Sequence, residues 1–336
     1  MKKILLMFTI PLIFEICILY ILNNFIFAGS SEFKSVKIEC NSDTVNEFHL
    51  QIPTMSEKVL VSYNSKYLVY KDNDNIYLGN INKNVTNKIN ANNDESILFY
   101  NWLDNRDILV IVEKVNKGGK EKLQLVTYNA ENLQSKNVQT ICNYKNGMEI
   151  KQITESILTG VYYINISINK ENIIYRIDRN DKLTKVDIET NDIKSIEELQ
   201  HMDRLVYQDS DTGNILLTNP SEKLKITSKN NVLLGVDKND NVYVGILNNE
   251  RIESIIYGTT DTNTNNWTKV DIGNDLDSTN IKISRDGNVF IPIIGGHEVK
   301  NIINDKTYSY DGKLIQIHDN SIISIDEKGM ILLNNI

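Results

Sequence analysis

The sequence repeats one local pattern seven times: an apolar run rich in β-forming residues, a tight turn of Asp, Asn or Gly, and a second such run. Within each run apolar side chains alternate or nearly alternate with polar ones, as in strands with one buried face. Asp, Asn and Gly accept the backbone angles of tight hairpin turns. The seven hairpins cover residues 66–80, 107–129, 161–178, 203–219, 231–247, 280–294 and 320–334. The chain is therefore predicted to be all-β.

The spacing of these hairpins indicates a repeat architecture. They recur at intervals of roughly 27 to 50 residues, a range typical of solenoids, propellers and other arrays. Few windows have the helical period, and Ser195 to Leu199 is predicted to be at most a helical turn. We predict a β-propeller of seven blades, in which a ring leaves only short sheet edges. Six or eight blades also fit, because the interval from 215 to 242 is short for a whole blade. Two β-sandwich domains are the alternative fold.

A further strand is predicted before the first hairpin. VNEFHLQIP, residues 45–53, precedes the repeats, and GMILLNNI ends the chain. Pairing of the first segment with the last blade would close the ring.

The first residues, MKKILLMFTIPLIFEICILYILNNFIFAG, predict a membrane anchor. The apolar run from Ile4 to Leu22 is long enough to cross a bilayer at about 1.5 Å per residue. A cleaved signal peptide has a shorter apolar region of about 7–15 residues, so an uncleaved signal-anchor is predicted and a cleaved signal is the alternative. Lys2 and Lys3 precede the run, which predicts a cytoplasmic N-terminus. The expected location is the cell membrane, with a single pass and the bulk of the chain extracytoplasmic.

These features predict three segments. Residues 1–28 would form a cytoplasmic stub and transmembrane signal-anchor, residues 29–44 a stalk, and residues 45–336 the propeller domain. The formal net charge of -8 argues against a nucleic-acid partner, because phosphate backbones are bound by clustered Lys and Arg.

The sequence assigns no catalytic, cofactor-binding or metal-binding residue. The four histidines show no spacing typical of a zinc site, although a ring can bring distant residues together. They are His49, His201, His297 and His318. No Gly-x-Ser-x-Gly elbow or phosphate-binding Gly-rich loop occurs.

Cysteines and Asp-rich turns offer two further candidates. Cys40 and Cys142 both lie beyond the predicted anchor, where a disulfide or two separate thiols are open alternatives. The turns beginning at Asp209 and Asp237 start like calcium loops. Both lack the Gly and Glu that an EF-hand requires at its sixth and twelfth positions, so they are predicted to be turns without metal. Strand tyrosines are predicted to pack between blades.

Two stretches carry a resemblance to a known family. Tyr67-Leu68-Val69-Tyr70, followed by Asn75-Ile76-Tyr77-Leu78, resembles the blades of TolB-like and related bacterial propellers. Ser284-Arg285-Asp286-Gly287-Asn288-Val289-Phe290 resembles the same repeat. The resemblance covers most of residues 58–336 and implies extracytoplasmic binding of a protein or ligand on one face of the ring. It carries over no catalytic residue.

Two functions follow as hypotheses. The first is a membrane-anchored extracytoplasmic propeller that acts as a binding scaffold at the cell envelope, with an envelope protein or cell-surface ligand as partner. The second is a propeller-type hydrolase or lyase with its site in the central channel. The second hypothesis predicts that His201, His297 and His318 share one cleft with Asp or Glu side chains.

Overall fold

The computed structural model describes residues 50–91, 96–228, 230–293 and 295–336, all within one unit, Val45–Ile336. These residues form seven antiparallel sheets, six with four strands and one with three. In every sheet the strands are paired in the order in which they occur along the chain. The predicted all-β fold is confirmed, and the strand order is not that of two sandwiches.

The first four sheets lie between residues 57 and 223. Sheet 1 contains β1 (Glu57–Val61), β2 (Tyr67–Asp72), β3 (Asn75–Asn80) and β4 (Val85–Ile89). Sheet 2 contains β5 (Ser96–Trp102), β6 (Ile108–Lys117), β7 (Lys120–Asn129) and β8 (Gln134–Asn143). Sheet 3 contains β9 (Glu149–Ser156), β10 (Val161–Ile168), β11 (Glu171–Ile177) and β12 (Leu183–Lys185). Sheet 4 contains β13 (Ile193–Glu198), β14 (Leu205–Asp209), β15 (Ile215–Leu217) and β16 (Glu222–Lys223).

Three sheets complete the fold. Sheet 5 contains β17 (Asn231–Val236), β18 (Asn241–Asn248), β19 (Arg251–Thr259) and β20 (Thr268–Leu276). Sheet 6 contains β21 (Lys282–Ile283), β22 (Val289–Pro292), β23 (Glu298–Asn301) and β24 (Lys306–Ser309). Sheet 7 contains β25 (Lys313–Ile317), β26 (Ser321–Ile325) and β27 (Ile331–Asn335). Two short 3₁₀ helices, Thr264–Asn266 and Ser278–Asn280, lie in connections.

The seven sheets are the blades of a propeller. Seven buried apolar clusters lie between consecutive blades, and one of them joins blade 7 to blade 1. The first strands of neighbouring blades also contact one another, so these strands line the centre of the ring. Each blade thus buries both faces against its neighbours, which supplies the core. The predicted seven blades are confirmed.

Residues 50–52 close the ring. The backbone N–H of Ile52 donates to Gly329 O at 2.9 Å, and Ile331 N–H donates to Leu50 O at 3.2 Å. Leu50 and Ile52 are each only 2% exposed and pack with Ile331. This short segment therefore supplies the outer edge that the three-stranded seventh sheet lacks. The predicted closing role of residues 45–53 is confirmed for 50–52; residues 45–49 lie outside the described part of the chain.

Two glutamine side chains form hydrogen bonds with the first strand of the next blade. The Gln208 amide accepts from Leu233 N–H at 3.0 Å and donates to Asn231 O at 2.9 Å, so it pairs like a backbone peptide group. Gln152 joins β9 to Ile196 in the same way. Such bonds fix the angle between blades because both partners are held in strands.

The Asp/Asn cluster at residues 71–75 is a hairpin turn, as predicted. Asn73 and Asp74 have φ angles of 46° and 65°, between the paired residues Asp72 and Asn75. Asn and Asp accept this left-handed geometry more readily than most residues. The predicted packing of strand tyrosines between blades is also confirmed: they lie in or against the interblade clusters, as seen for Tyr67, Tyr70, Tyr77, Tyr162, Tyr163, Tyr175 and Tyr243.

Two sequence-based predictions need correction. The hairpin at 203–219 joins the second and third strands of blade 4, whereas the hairpin at 231–247 joins the first and second strands of blade 5. The two hairpins thus lie at different positions in their blades, which is why the interval from 215 to 242 is short. Ser195 to Leu199 forms most of β13 and its exit, not a helical turn. A register shift between Ile193 and Ser195 interrupts its alternation.

The predicted membrane span, Ile4 to Leu22, lies outside the described residues. Within the ranges given above, no helix has the length and apolar character needed to cross a membrane.

Candidate binding face

One face of the ring is built from the loops that join the first and second strands of each blade. In an antiparallel sheet with sequential strands, these loops lie at the same edge as the connections between third and fourth strands. We call them the 1–2 loops and their side of the ring the 1–2 face. They span residues 62–66, 103–107, 157–160, 199–204, 237–240, 284–288 and 318–320.

Hydrogen bonds link every neighbouring pair of blades on this face. Each bond joins a residue in or next to one 1–2 loop to a residue in or next to the next, and the series closes on itself. The linked pairs are Asn64–Asp107, Arg106–Glu155, Ser156–Gln200, Gln200–Asp240, Lys238–Asp286, Asn288–Asp319 and Ser65–Ser321. The 1–2 face is therefore a preorganised surface, and little ordering would be required of it on binding.

Charged side chains from five blades gather at the centre of this face. We call this set the central mouth: Asp104, Glu155, Glu197, Arg285 and Asp319. The charge of Asp104 acts on Glu155 and Glu197, while the charges of Arg285 and Asp319 act on Asp104. Each of these residues lies within two residues of the end of its blade's first strand, and the first strands line the centre of the ring, so the set surrounds the central opening.

The central mouth disfavours negative charge. Asp104 is accessible to water, yet burial by the surrounding walls raises the pKa of its carboxyl. Burial, assisted by the charge of Asp104, raises the pKa of Glu197 to about 8. Carboxyls in such a site are stabilised in their charged form when a cation approaches.

Glu155 is the most enclosed member of the mouth, with 8% of its surface exposed. Burial raises its pKa, which the hydrogen-bonded guanidinium of Arg106 lowers in part. Only Oε1 receives that hydrogen bond. Tyr162 lies close enough to lower the pKa further, but no described residue donates to Glu155 Oε2 with normal geometry.

A second acidic group lies between blades 3 and 4. Arg176 makes a forked ion pair with Asp203, and Tyr163 donates to Asp203 Oδ1 at 2.8 Å. Glu198, 1% exposed, lies nearby, and its burial together with the charges of Asp203 and Glu155 raises its pKa to about 9. A cleft of about 460 Å³, lined in part by Tyr163, Arg176 and Asp203, opens here on the 1–2 face.

Apolar side chains project from three 1–2 loops. Tyr63 is 40% exposed, Leu158 54% and Met202 36%. Large apolar groups exposed together on one face are more informative than the same groups scattered singly. Such a group of exposed apolar side chains marks a candidate interaction surface.

The opposite face holds a larger cleft, of about 840 Å³, between blades 7 and 1. Its walls come from the start of β1, the start of β25 and the turn after β26. Lys58 and His297 reach it, and burial lowers the pKa of Lys58, whose amine lies 4.4 Å from the ring centres of Phe99 and Tyr100.

The structure does not bring the three described histidines together. His201 lies on the 1–2 face, where its Nδ1 is 3.1 Å from Asp240 Oδ2. His318 follows β25 in blade 7, and its burial lowers its pKa. His297 lies at the opposite face, with its ring edge-on to Tyr310. The prediction that His201, His297 and His318 share one cleft is therefore wrong. His49 lies outside the described part.

The Asp-rich segments at Asp209 and Asp237 form hairpin turns, as predicted. Asp209 accepts from the backbone and hydroxyl of Thr212, and Asp237 accepts from the backbone of Asn239 and Asn241. Both carboxylates are thus engaged in holding turns. No group of three metal-ligating side chains occurs among the residues that the structure describes. Cys142 is half-buried and pairs with no described cysteine, and Cys40 lies outside the described residues, so their pairing stays untested.

The central mouth was not identified from sequence. Its acids lie within two residues of the end of each blade's first strand: Asp104 follows β5, Glu155 precedes the end of β9, and Glu197 lies near the end of β13. A search for charges at this one position of successive repeats would have found them.

Comparison with known proteins supports the fold and assigns no family. No protein-family model and no curated protein matches the chain. The β-propeller domain of Cps50 (Swd1) from Myceliophteria thermophila is similar at 11% identity and a TM-score of 0.52, over 87% of this chain and 98% of that one.

Two further structures align less closely. Hsv2 from Kluyvelomyces marxianus has 12% identity and a TM-score of 0.49, covering 83% of this chain and 96% of its own. YCF48 bound to a D1 peptide has 13% identity and a TM-score of 0.49, covering 85% and 94%. At these identities the likeness concerns the fold alone. The TolB-like assignment stays a prediction.

Proposed function

We propose that this propeller is a protein-binding scaffold at the cell envelope, held to the membrane by the segment from Ile4 to Leu22, with its N-terminus in the cytoplasm and the ring outside. An envelope protein or a cell-surface ligand is the partner. Support for the location comes from the apolar run after Lys2 and Lys3.

One observation carries the binding role: the 1–2 face combines exposed Tyr63, Leu158 and Met202 with an acidic centre on a closed set of interblade hydrogen bonds. Apolar contacts favour binding because they remove apolar surface from water, while charges select the partner. A preorganised surface loses little entropy when it binds.

The proposal is tested by crosslinking in intact cells, followed by affinity purification of the full chain and mass spectrometry. The variant L158S/M202S removes apolar groups from the 1–2 face. Its matched control is M55S/L98S, because Met55 and Leu98 are exposed by 86% and 40% and lie outside the 1–2 loops, Met55 before β1 and Leu98 within β5. We expect one partner to be lost from L158S/M202S and retained by the control. Retention by L158S/M202S, or loss only from the control, would reject the 1–2 face as the binding surface.

A hydrolase or lyase in the central channel is the second candidate. The observation that favours it is the pairing of Glu197, whose burial raises its pKa to about 8, with Asp104 in a water-accessible mouth. Two such carboxyls can act as acid and base. A screen of glycoside, ester and peptide substrates would compare wild type with E197Q; turnover that disappears in E197Q supports this candidate, and equal rates remove it.

A further inference from the structure

We propose that the cleft between blades 3 and 4 binds a short neutral saccharide. This inference goes beyond the proposed function, because it adds a small-molecule site and does not depend on a protein partner. It rests on a row of polar side chains between the two blades, on a guanidinium with unused donors, and on the balance of charge around the cleft.

A row of polar side chains crosses the face of blade 3 that is turned to blade 4. Strand pairing sets Tyr163 opposite Arg176 and Arg176 opposite Thr184, so the three side chains lie side by side. Tyr163 and Ile174, two residues before Arg176, pack in the apolar cluster between these blades, which fixes the direction of the row. All three members line the cleft of about 460 Å³, a volume within the range of small-ligand sites.

Asp203 of blade 4 is held against this row. Tyr163 donates to its Oδ1 at 2.8 Å, Arg176 Nε donates to the same oxygen at 2.9 Å, and Arg176 Nη2 donates to Oδ2. Burial acts to raise the pKa of Asp203, but these hydrogen bonds outweigh it and lower the pKa, so the carboxylate is charged at neutral pH. Because both of its oxygens are engaged, Asp203 fixes the guanidinium of Arg176 in place.

Arg176 keeps donors for a ligand. Of its five N–H groups, those of Nε and Nη2 serve Asp203, whereas Nη1 makes no hydrogen bond with a described residue. Nη1 lies 3.9 Å from Asp178 Oδ2, which is beyond hydrogen-bond distance. Arg176 lines the cleft with its side chain 20% exposed, which leaves these donors for an acceptor on a ligand.

The facing wall is a loop of blade 4 that is also held in place. Arg204, 7% exposed, donates to Thr218 O at 2.8 Å and to Pro220 O at 3.2 Å. Pro220 and Ser221 are exposed and line the cleft. The Ser221 hydroxyl donates to Glu189 and keeps a lone pair for a further hydrogen bond. Both walls are thus fixed before a ligand arrives, so binding orders few side chains.

The charges around the cleft disfavour an ionic ligand. Two positive and two negative side chains line it: Arg176, Lys185, Asp187 and Asp203. Glu198, whose burial raises its pKa to about 9, is neutral at pH 7. The other charged groups in contact with the lining or its loop are Asp178, Glu189, Glu222 and Arg204. The surroundings are therefore slightly negative, which repels an anion, while a cation would find Asp203 already engaged.

A neutral polyhydroxylated ligand fits these groups. Each hydroxyl both donates and accepts, so it can accept from Arg176 Nη1 and donate to a carboxylate or carbonyl oxygen. Thr184 and Ser221 offer hydroxyls on opposite walls. The aliphatic members of the lining are Val186 and Pro220, enough for the C–H face of a sugar ring but too few for the side chains of an extended peptide.

The first test is a binding screen on the full chain, purified in lauryldimethylamine oxide, a detergent without a sugar head group. Glucose, galactose, mannose, N-acetylglucosamine and their common disaccharides are screened at millimolar concentration by saturation-transfer difference NMR. N-acetyl-trialanine amide and acetate serve as peptide and anion probes. We expect a neutral saccharide to bind and both other probes to give no signal. No saccharide signal, or an equal signal from the peptide or acetate, would overturn the inference.

The second test locates the site. The dissociation constant of the bound saccharide is measured by calorimetry for wild type, T184V/S221A and the control T307V/S309A. Thr307 and Ser309 lie in β24, the outermost strand of blade 6, as Thr184 lies in β12, the outermost strand of blade 3. We expect T184V/S221A to bind about tenfold more weakly and the control to bind like wild type. Equal affinity for wild type and T184V/S221A would overturn the assignment to this cleft.

The third test concerns the donors of Arg176. Arg176→Lys keeps the charge and removes Nη1, but it also weakens the contact with Asp203. Monodeoxy analogues of the saccharide are therefore compared on both proteins, because a change in the ligand cannot be imitated by a folding defect. One analogue should bind wild type about tenfold more weakly than the parent sugar and bind R176K as the parent does. Analogues that all bind wild type like the parent, or lose affinity equally on both proteins, would overturn the role of Arg176.

Discussion

The closing segment at residues 50–52 offers the sharpest test of how the ring is held together. Leu50 and Ile52 are each 2% exposed and pack in the cluster between blades 7 and 1. Truncating one such side chain to Ala costs about 2–5 kcal/mol. Because the segment pairs with a single sheet edge and can relax, we take the lower end for each and expect L50A/I52A to lose about 4 kcal/mol. That is a large part of the 5–15 kcal/mol typical of a domain.

The loss should also be local. Detaching this segment frees the amide of Ile331, which donates to Leu50 O, so peptides of β27 that contain Ile331 should exchange hydrogen faster than the rest of the ring. Urea unfolding measures the free energy of unfolding, and hydrogen exchange with mass spectrometry locates the opening. The matched control is I174A/I177A, since both residues are fully buried in β11 of blade 3.

The control should lose comparable stability while increasing exchange in blade 3 and not in β27. The reasoning would be refuted if L50A/I52A opened β27 no faster than the control does, or if it lost less than about 1 kcal/mol.

Three further predictions concern single positions. Gln208→Leu should lower the free energy of unfolding by about 1–3 kcal/mol in urea, because Leu233 N–H loses its acceptor; a change near zero contradicts the interblade role. Gly258→Ala should destabilise by about 1–3 kcal/mol, since a Cβ would lie 2.5 Å from Trp267 Cδ1; a Tm equal to wild type contradicts this. Burial raises the pKa of Glu198 from 4.5 to about 9, so the folded chain keeps a proton that the unfolded chain releases. Its stability should therefore fall as pH rises from 5 to 9, and Glu198→Gln should flatten that slope; an unchanged slope contradicts the assignment.

Sequence patterns predicted the parts of the fold that depend on local chemistry. Turns such as Asn73-Asp74 can be recognised in the sequence because few residues accept two successive positive φ angles. The closing segment was predictable from its position before the first repeat and from the need of a ring to join its ends. The blade boundaries in the second half of the chain could not be predicted in this way. The hairpin at 231–247 has the same residue types as the others, and only pairing across the sheet shows that it joins first and second strands.

The first strands and the mouth resisted prediction for a physical reason. A register shift in β13 breaks the alternation by which a strand is recognised, so Ser195 to Leu199 looked helical. Glu197 and Glu198 lie within this strand, and no sequence pattern singled them out. Asp104, whose charge acts on Glu197, belongs to blade 2 and is distant in sequence, and only the ring brings these two residues near each other.

The central claim, that partners bind on the 1–2 face, is tested most directly by a photoreactive amino acid placed at position 202 or at position 55 in intact cells. The account predicts a covalent adduct with one partner from position 202, weaker when L158S is added, and none from position 55. An adduct formed only from position 55, or one from position 202 that is indifferent to the loss of the Leu158 side chain, would contradict it.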